Sequence, residues 1–430
     1  MAKARAKCDD LLCRLDLEEP YIAGNIYSGL LYAEREFLDI SNYREYDLKA
    51  RELYRAAGSS FVLVWHGSLH GPTAYLGGNV DEASEILNGA WNYATSIGGE
   101  FSPLAAMPAL LLAEVLYEYN EIDRVNTLLE RYLPLSERIG FIDQIIAGII
   151  TQSKVLFREG QSARARSVLQ HGEQFAIAHN FHRLRVAVLA ELVRQASIEG
   201  DKKSAKESIS NMERVLGREE LKPGNESRTT HAMAALAWCR YLRLSGEYAE
   251  SIAMAKTWGR FCQLRNIEKY ALQFSATQIT SHQAQGEQRV AQRLLHQLLE
   301  RTQGRKFVNS FLGDGPTVEG MLVSFVAAQS ETGSSLTDHA MTILSSAGLE
   351  TTKLVEVRID SDEPIEALEK QEIALLKMID AGQSNKEIAR QLNLTEGTVK
   401  WHMQNIYNKL GVRRRGKAAK LAKDIGLLGP

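Results

Sequence analysis

The sequence predicts an all-α protein, in which an α-solenoid of tetratricopeptide-like helix pairs precedes a four-helix C-terminal domain. Apolar residues recur at helical spacing, a glycine or asparagine returns about every 40 residues, and the pattern and charge change from Glu366 onward. Hydrophobic residues make up 44% and charged residues 24% of the chain, which is globular composition and excludes a disordered or collagen-like protein.

The repeat is marked by a small or turn-forming residue just before a helix. Five residues later stands a small residue that lets a neighbouring helix approach, and nine residues later an aliphatic residue that fills the gap on the same face. The markers are Gly78, Asn120, Gly160, Gly200, Gly246 and Gly286. The residues five positions later are Ala83, Val125, Ala165, Ala205, Ser251 and Ala291, and those nine later are Leu87, Leu129, Leu169, Ile209, Ala255 and Leu295.

Each repeat also predicts a second helix. The first helix should end about twenty residues after the marker, because Gly and Asn tolerate the left-handed conformation that ends a helix. These endings are Gly98, Gly140, Asn180 and Asn266, and the apolar residues that should start the second helix are Phe141, Phe181, Leu221, Ile267 and Phe307. Such pairs bury their apolar faces only by stacking. We therefore expect a solenoid domain over residues 1–348, with helical repeats from about residue 20 to 345.

Residues 349–365 are predicted to form an acidic linker, because helical periodicity is lost in ETTKLVEVRIDSDEP. Its apolar residues could alternatively dock as a short strand.

The remaining residues, 366–430, are predicted to form four short helices with a helix-turn-helix at their centre. A capping box from Ser384 to Glu387 opens the second helix, and Thr395 caps the third. This region holds twelve basic and seven acidic residues, whereas the rest of the chain holds 39 basic and 46 acidic residues. The residues expected to face inward are Ile373, Leu376 and Ile379, then Ile388, Ala389 and Leu392, then Val399, Met403, Ile406 and Leu410.

A basic helix-turn-helix places its second helix in the major groove of DNA. Lys400, Trp401 and Gln404 would then face outward to read bases, since Lys can donate to guanine and Gln can pair with adenine. The alternative is an exposed helix face with a stray Trp. Phosphate contacts, which set register, are expected from Ser384, Lys386, Thr395, Thr398, Arg413, Arg414 and Arg415.

The fourth helix carries small apolar residues on one side. They either form a dimer interface or pack on the first helix of the same domain. These residues are Ala418, Ala419, Ala422 and Ile425.

The segment SNKEIARQLNLTEGTVKWHMQNIYNKLGV resembles the DNA-binding domain of LuxR-type (GerE-type) bacterial regulators. The repeat segment LYEYNEIDRVNTLLERYLPLSERIG resembles the helical repeats of the MalT-like group. The resemblance implies a transcriptional regulator, most often an activator, that binds double-stranded promoter DNA as a homo-oligomer and contacts RNA polymerase. MalT-like proteins carry an ATP-binding domain before the repeats, and this sequence has no GxxxxGK[ST] motif. It is therefore expected to be a shortened member or a C-terminal portion.

The solenoid is expected to bind an effector that controls the C-terminal domain: a small molecule, a peptide or a protein. The alternatives are an interaction scaffold whose DNA domain is masked and a regulator that senses an extended peptide. Four aromatic residues (Trp65, Tyr75, Trp91 and Tyr93) either line a concave ligand surface or pack in the core.

Enzyme, cofactor and metal functions are not expected. The sequence lacks GxSxG, HExxH and Rossmann glycine motifs. His66 and His70 have metal-ligand spacing but no third ligand, so we expect structural histidines. Four cysteines without a CxxC pair fit a reducing compartment. With no signal peptide or membrane-length apolar run, the sequence predicts a cytoplasmic protein without membrane contact.

Overall fold

The computed structural model describes residues 6–8, 10–11, 19–139, 141–216, 221–329, 334–347, 349, 375, 377–380, 383–391 and 399. The chain forms two compact units, Met1–Thr351 and Thr352–Pro430. All regular secondary structure among these residues is helical, which confirms the all-α prediction. None of the described helices is both long and apolar enough to cross a membrane.

Sixteen of the described helices lie between Pro20 and Ser346, arranged in eight consecutive pairs. They are α1 (Pro20–Glu36) and α2 (Tyr43–Ala57), α3 (Ser60–Leu76) and α4 (Val80–Gly98), α5 (Pro103–Glu118) and α6 (Ile122–Ile139), α7 (Ile142–Arg158) and α8 (Ser162–Ala178), α9 (His182–Glu199) and α10 (Lys202–Leu216), α11 (Thr229–Ser245) and α12 (Tyr248–Leu264), α13 (Glu268–Ala284) and α14 (Gln288–Thr302), and α15 (Pro316–Gln329) and α16 (Ser335–Ser346). In the second unit, α17 (Asn385–Gln391) is described.

The marker residues lie in left-handed turns between the helices. All six have positive φ, from 59° at Asn120 to 94° at Gly246. Each ends the preceding helix and lies two residues before the next one. Gly200, for example, donates its N–H to the Ala196 carbonyl, and α10 begins at Lys202. The twelve predicted contact residues after the markers are all buried, none more than 2% exposed, so the repeat pattern is confirmed.

Two predicted helix starts are wrong. Leu221 lies eight residues before α11, and its carbonyl accepts the Trp258 indole N–H at 2.9 Å. Phe307 lies in the connection between α14 and α15, where it is 1% exposed and its ring stands 6.0 Å from that of Tyr75. In both places an apolar residue anchors a loop to the core, which has the same local sequence signature as a helix start.

The solenoid curves until its beginning meets a later repeat. Side chains from α1 and α3 share one hydrophobic core with side chains from α11, α12 and α13. Leu31, Leu69 and Leu76 come from the early helices, and Leu236, Trp258 and Phe274 from the late ones. The repeats therefore close into a ring, with the odd-numbered helices α1 to α13 facing the interior.

A buried polar network joins the first three helices. One oxygen of the Asp47 carboxylate lies 2.9 Å from both His66 Nε2 and His70 Nδ1. The other ring nitrogen of His66 lies 2.8 Å from the Ser28 hydroxyl, which in turn bonds Tyr54. His66 and His70 are thus hydrogen-bonded core residues, and no metal-binding cluster occurs among the described residues.

Burial lowers the pKa of His66 below its usual value of 6.5, although Asp47 opposes the shift. In the unfolded chain this histidine has its usual pKa, so it binds a proton at a pH at which folded His66 is still neutral. The free energy of unfolding should therefore fall as pH drops through about 6.5. We expect His66→Gln to flatten this dependence in urea titrations between about pH 7.5 and 5.5. His171→Gln, at an exposed position, serves as the control, and an unchanged slope in His66→Gln would contradict the assignment.

Gly71 in α3 provides a test of the packing between paired helices. A Cβ at this position would lie 2.5 Å from Leu87 Cγ of α4. Gly71→Ala should destabilise the chain by about 1–3 kcal/mol and Leu87→Ala by about 2–5 kcal/mol. The double variant should lose less than the sum, because the smaller side chain removes the clash. Gly29→Ala is the control, because a Cβ there would have nothing within 4 Å, and it should be neutral or stabilising in the same denaturation assay. If the losses of stability from Gly71→Ala and Leu87→Ala simply add in the double variant, the clash between these two residues is refuted.

Candidate nucleic-acid interface and interior cavity

In the second unit, the capping box that opens α17 has the predicted geometry. The Ser384 N–H donates to Glu387 Oε2 at 2.6 Å, and the Glu387 N–H donates to the Ser384 hydroxyl oxygen at 3.3 Å. These backbone and hydroxyl bonds from Ser384 lower the pKa of the exposed Glu387 carboxyl. The reciprocal pair satisfies free N–H groups of the first turn, which fixes where the first helix of the predicted helix-turn-helix begins.

The inward face of this unit is apolar. Ile388 and Ala389 of α17 are buried, and so are Leu375, Ile379 and Val399. Ile379, Ile388, Ala389 and Val399 were predicted to face inward, whereas Leu375 was not singled out. A short helix with one buried apolar face, in a unit with buried apolar residues before and after it, fits a helix-turn-helix.

Of the predicted phosphate contacts, Ser384 and Lys386 are described, and both side chains are exposed. Lys386 is open to solvent beside the N-terminus of α17. In Ser384, the N–H and the hydroxyl both donate to Glu387, so a phosphate would have to displace that carboxylate. The other predicted DNA and dimer residues lie outside the described residues and stay predictions: Lys400, Trp401, Gln404, Thr395, Thr398, Arg413, Arg414, Arg415, Ala418, Ala419, Ala422 and Ile425.

Residues 366–422 match the family described as bacterial regulatory proteins, luxR family. The C-terminal domain belongs to the luxR family. Its similarity to LuxR-type domains, expected from the sequence, is thereby confirmed.

Relatives of this luxR-family domain carry regulator names. An HTH-type transcriptional regulator AlkS of Alcanivorax borkumensis is 47% identical over 57 residues, or 13% of this chain and 6% of the relative. The putative HTH-type transcriptional regulator YhjB of Escherichia coli is 44% identical over 55 residues, 13% of this chain and 28% of the relative. The transcriptional regulatory protein LnrK of Bacillus subtilis is 52% identical over 52 residues, 12% and 24% of the two chains. The chain thus matches less than a third of each of these proteins.

The ring of helices in the first unit surrounds a cavity of about 200 Å³ that is partly open to solvent. Helices α1, α3, α5, α7, α9, α11 and α13 all contribute to its wall. Apolar side chains form part of the lining, among them Leu111, Ile146, Ile150 and Met233. Charged and neutral polar side chains form most of the remainder, so the interior offers both apolar and polar contacts.

Ion pairs link helices across this interior. Arg35 of α1 lies 2.5 Å from Asp143 of α7, and Arg183 of α9 lies 2.7 Å from the same carboxylate. Arg183 also contacts Glu36 at 2.8 Å. Burial alone would raise the pKa of Asp143, but the two guanidinium groups hold it below its usual value. These charges therefore persist at neutral pH and join the start of the ring to its middle.

Two more ion pairs line the cavity. Lys269 of α13 lies 2.6 Å from Glu114 of α5, and Arg194 of α9 lies 2.7 Å from Glu191 of the same helix. In each case burial would raise the pKa of the carboxyl, and the cation partner lowers it below its usual value. Both carboxylates are thus ionised and already paired.

The connection between α14 and α15, residues 303–315, covers part of the cavity. The Ser310 N–H donates to Glu118 Oε2 at 2.8 Å, and the Tyr75 hydroxyl donates to the other oxygen at 2.6 Å. Further along, Asp314 lies 2.6 Å from Arg240. The connection is therefore held by side chains of α3, α5 and α11, which lie far apart in sequence.

The sequence pattern did not identify these cavity residues. Of the four aromatic candidates, Tyr75 lines the cavity. Trp91 donates its indole N–H to Tyr132 at 3.0 Å, and Tyr93 is 38% exposed. A charged residue within an otherwise apolar helix, such as Glu114 in PLAAMPALLLAEVLYE, could have indicated them. A charge in such a helix is expected to be buried, and a buried charge needs a partner.

Loss of the cap should loosen the start of α17. We expect Ser384→Ala to destabilise this helix by about 0.5–2 kcal/mol, because free N–H groups lose their acceptor. The measurement is hydrogen exchange of the segment 384–391 in the intact chain, which should become faster. Ser384→Asp, which keeps an acceptor, should exchange like the wild type; equal protection in Ser384→Ala would show that the capping box contributes nothing.

Proposed function

We propose that the chain is a transcriptional regulator that binds promoter DNA through its C-terminal domain and a small effector in the cavity of its solenoid. The observation that carries the proposal is the luxR-family domain at residues 366–422, together with relatives named as transcriptional regulators. Under this proposal the chain acts in the cytoplasm, and an enzyme activity is not needed.

In the DNA complex, the helix that contains Val399 would lie in the major groove. Lys400 and Gln404 would read base edges by hydrogen bonds, and Trp401 would contact a thymine methyl group or a sugar. Lys386 and the three arginines 413–415 would contact phosphates and set the register. The burial of Val399 supports this arrangement, because it orients the predicted helix against the core of its domain.

The closed ring favours a small effector over the other occupants considered. Drug-sized ligands occupy cavities of roughly 300–1,000 Å³, and the cavity here is about 200 Å³. A peptide of several extended residues or a folded partner would exceed this volume. The size of the cavity thus supports a compact metabolite rather than a peptide-sensing regulator or a scaffold that grips a protein inside the ring.

An effector acts only if it binds one conformation better than another. A ligand touching α5, α7, α9 and α13 at once would stabilise the closed ring relative to an open solenoid. We infer that this change controls the C-terminal domains, which would then pair on promoter half-sites and contact RNA polymerase. The family resemblance favours activation of transcription over repression.

The DNA-reading roles can be separated by substitution. Lys400→Ala and Gln404→Ala should each cost about 1–3 kcal/mol at the preferred site and relax base choice. Arg414→Ala should weaken binding to all sequences alike and lower the salt slope by about one unit. The measurement is fluorescence anisotropy with a site selected from genomic fragments and with random DNA, at several salt concentrations.

The exposed Lys206 of α10 offers a matched control, and Lys206→Ala should bind DNA like the wild type. Equal losses on selected and random DNA for Lys400→Ala would remove its base-reading role. A wild-type chain that selects no sequence would overturn the regulator proposal itself.

A further inference from the structure

One of the cationic side chains that line the cavity has no ion-pair partner among the described residues. The wall contains six basic residues, and five of them form ion pairs: Arg35, Arg183, Arg194, Arg240 and Lys269. Lys154 of α7, the sixth, makes neither an ion pair nor a side-chain hydrogen bond with a described residue. It lies on the same face of α7 as Ile150, Ala147 and Asp143, which also line the cavity.

The surroundings of Lys154 carry a surplus of one positive charge. The charged groups that act most strongly on its pKa are Glu191 and Arg194, which pair with each other, and Lys269 and Glu114, which pair likewise. Three cations therefore face two carboxylates. Burial lowers the pKa of Lys154, Glu191 opposes the shift, and Lys269 adds to it. The Lys154 side chain is half-buried, so its unpaired ammonium group is incompletely solvated, and an anionic ligand would compensate its charge.

The remaining unpaired acid in the wall does not compensate Lys154. Glu118 accepts hydrogen bonds from Tyr75, from the Ser310 N–H and from the Ser310 hydroxyl. Its oxygens are thus occupied by neutral donors from α3 and from the connection after α14. Glu118 does not appear among the main influences on Lys154.

We propose that the cavity binds a compact organic carboxylate, whose anionic group pairs with Lys154 and whose short apolar body lies against Ile146, Ile150 and Met233. This deepens the proposed function, since it names the class of effector, and it rests on that proposal. One surplus cation matches the single charge of a carboxylate. A phosphate carries about −1.5 to −2 at neutral pH and would leave negative charge uncompensated among apolar side chains.

The first test needs no ligand. Lys154→Met removes the unpaired charge and keeps a side chain of similar length. The variant should therefore have a higher thermal midpoint than the wild type in the absence of additives. Lys206→Met, at an exposed position on α10, should leave the midpoint unchanged. A lower midpoint for Lys154→Met, with Lys206→Met unchanged, would show that Lys154 has a stabilising partner and would overturn the proposal.

The second test uses acetate, hexanoate and benzoate as probes, each beside its neutral amide, with inorganic phosphate as the anion that lacks an apolar body. The thermal midpoint of the intact wild-type chain should rise with hexanoate or benzoate and not with the amides, acetate or phosphate. Titration calorimetry should give an affinity about ten- to a hundredfold weaker in Lys154→Met, as expected for loss of a charge-assisted hydrogen bond. Lys154→Arg should retain most of the affinity, and Lys206→Met all of it.

Stabilisation by phosphate alone, by the amides equally, or by none of the probes would overturn the carboxylate assignment. Binding that survives in Lys154→Met would do the same. DNA selection by the same wild-type preparation, measured without any probe, reports on the regulator proposal separately. A chain that selects a DNA motif and ignores all the acids contradicts the cavity assignment alone.

Discussion

The packing of α1 and α3 against α11, α12 and α13 is the contact on which the first unit depends. An open solenoid has contacts between neighbouring repeats only, and its concave side is a groove. Here Trp258 and Phe274 share a core with Leu31 and Leu76, so the groove becomes a cavity with helices on all sides. The cavity, the ion pairs across it and the position of the connection after α14 all follow from that closure.

Closure also explains why so many charged residues are found in the interior. Arg35 and Asp143 are 108 residues apart in the chain, and they meet because the ring brings α1 beside α7. Their pairing satisfies two charges that would otherwise be buried alone. The same holds for Lys269 and Glu114, which join α13 to α5. Separating the partners of such a pair is costly, because it leaves buried charges uncompensated. The pairs therefore favour the one register of the ring in which the partners meet over neighbouring registers.

The sequence predicted those parts of the structure that are local. Asn120 and Gly246 mark turns because a left-handed residue is needed wherever a helix ends, and Ser384 with Glu387 forms a cap within four residues. Leu221 and Phe307 were misassigned because an apolar residue after a turn can start a helix or anchor a loop. Lys154 could not be recognised at all, since its lack of a partner depends on which distant helices surround it, and helical periodicity carries no information about that.

The hydrogen-bonded network around His66 has the distances of a catalytic triad without the solvent access that catalysis needs. Ser28, His66 and Asp47 stand in hydrogen-bonded series, in the order of the nucleophile, base and orienting acid of a hydrolase. Yet the Ser28 side chain is inaccessible to solvent, its hydroxyl is shared with Tyr54, and it meets Nδ1 rather than Nε2 of the ring. A search of structures by triad distances would accept this site. The burial of Ser28 would reject it, because a substrate cannot reach a hydroxyl that has no access to solvent.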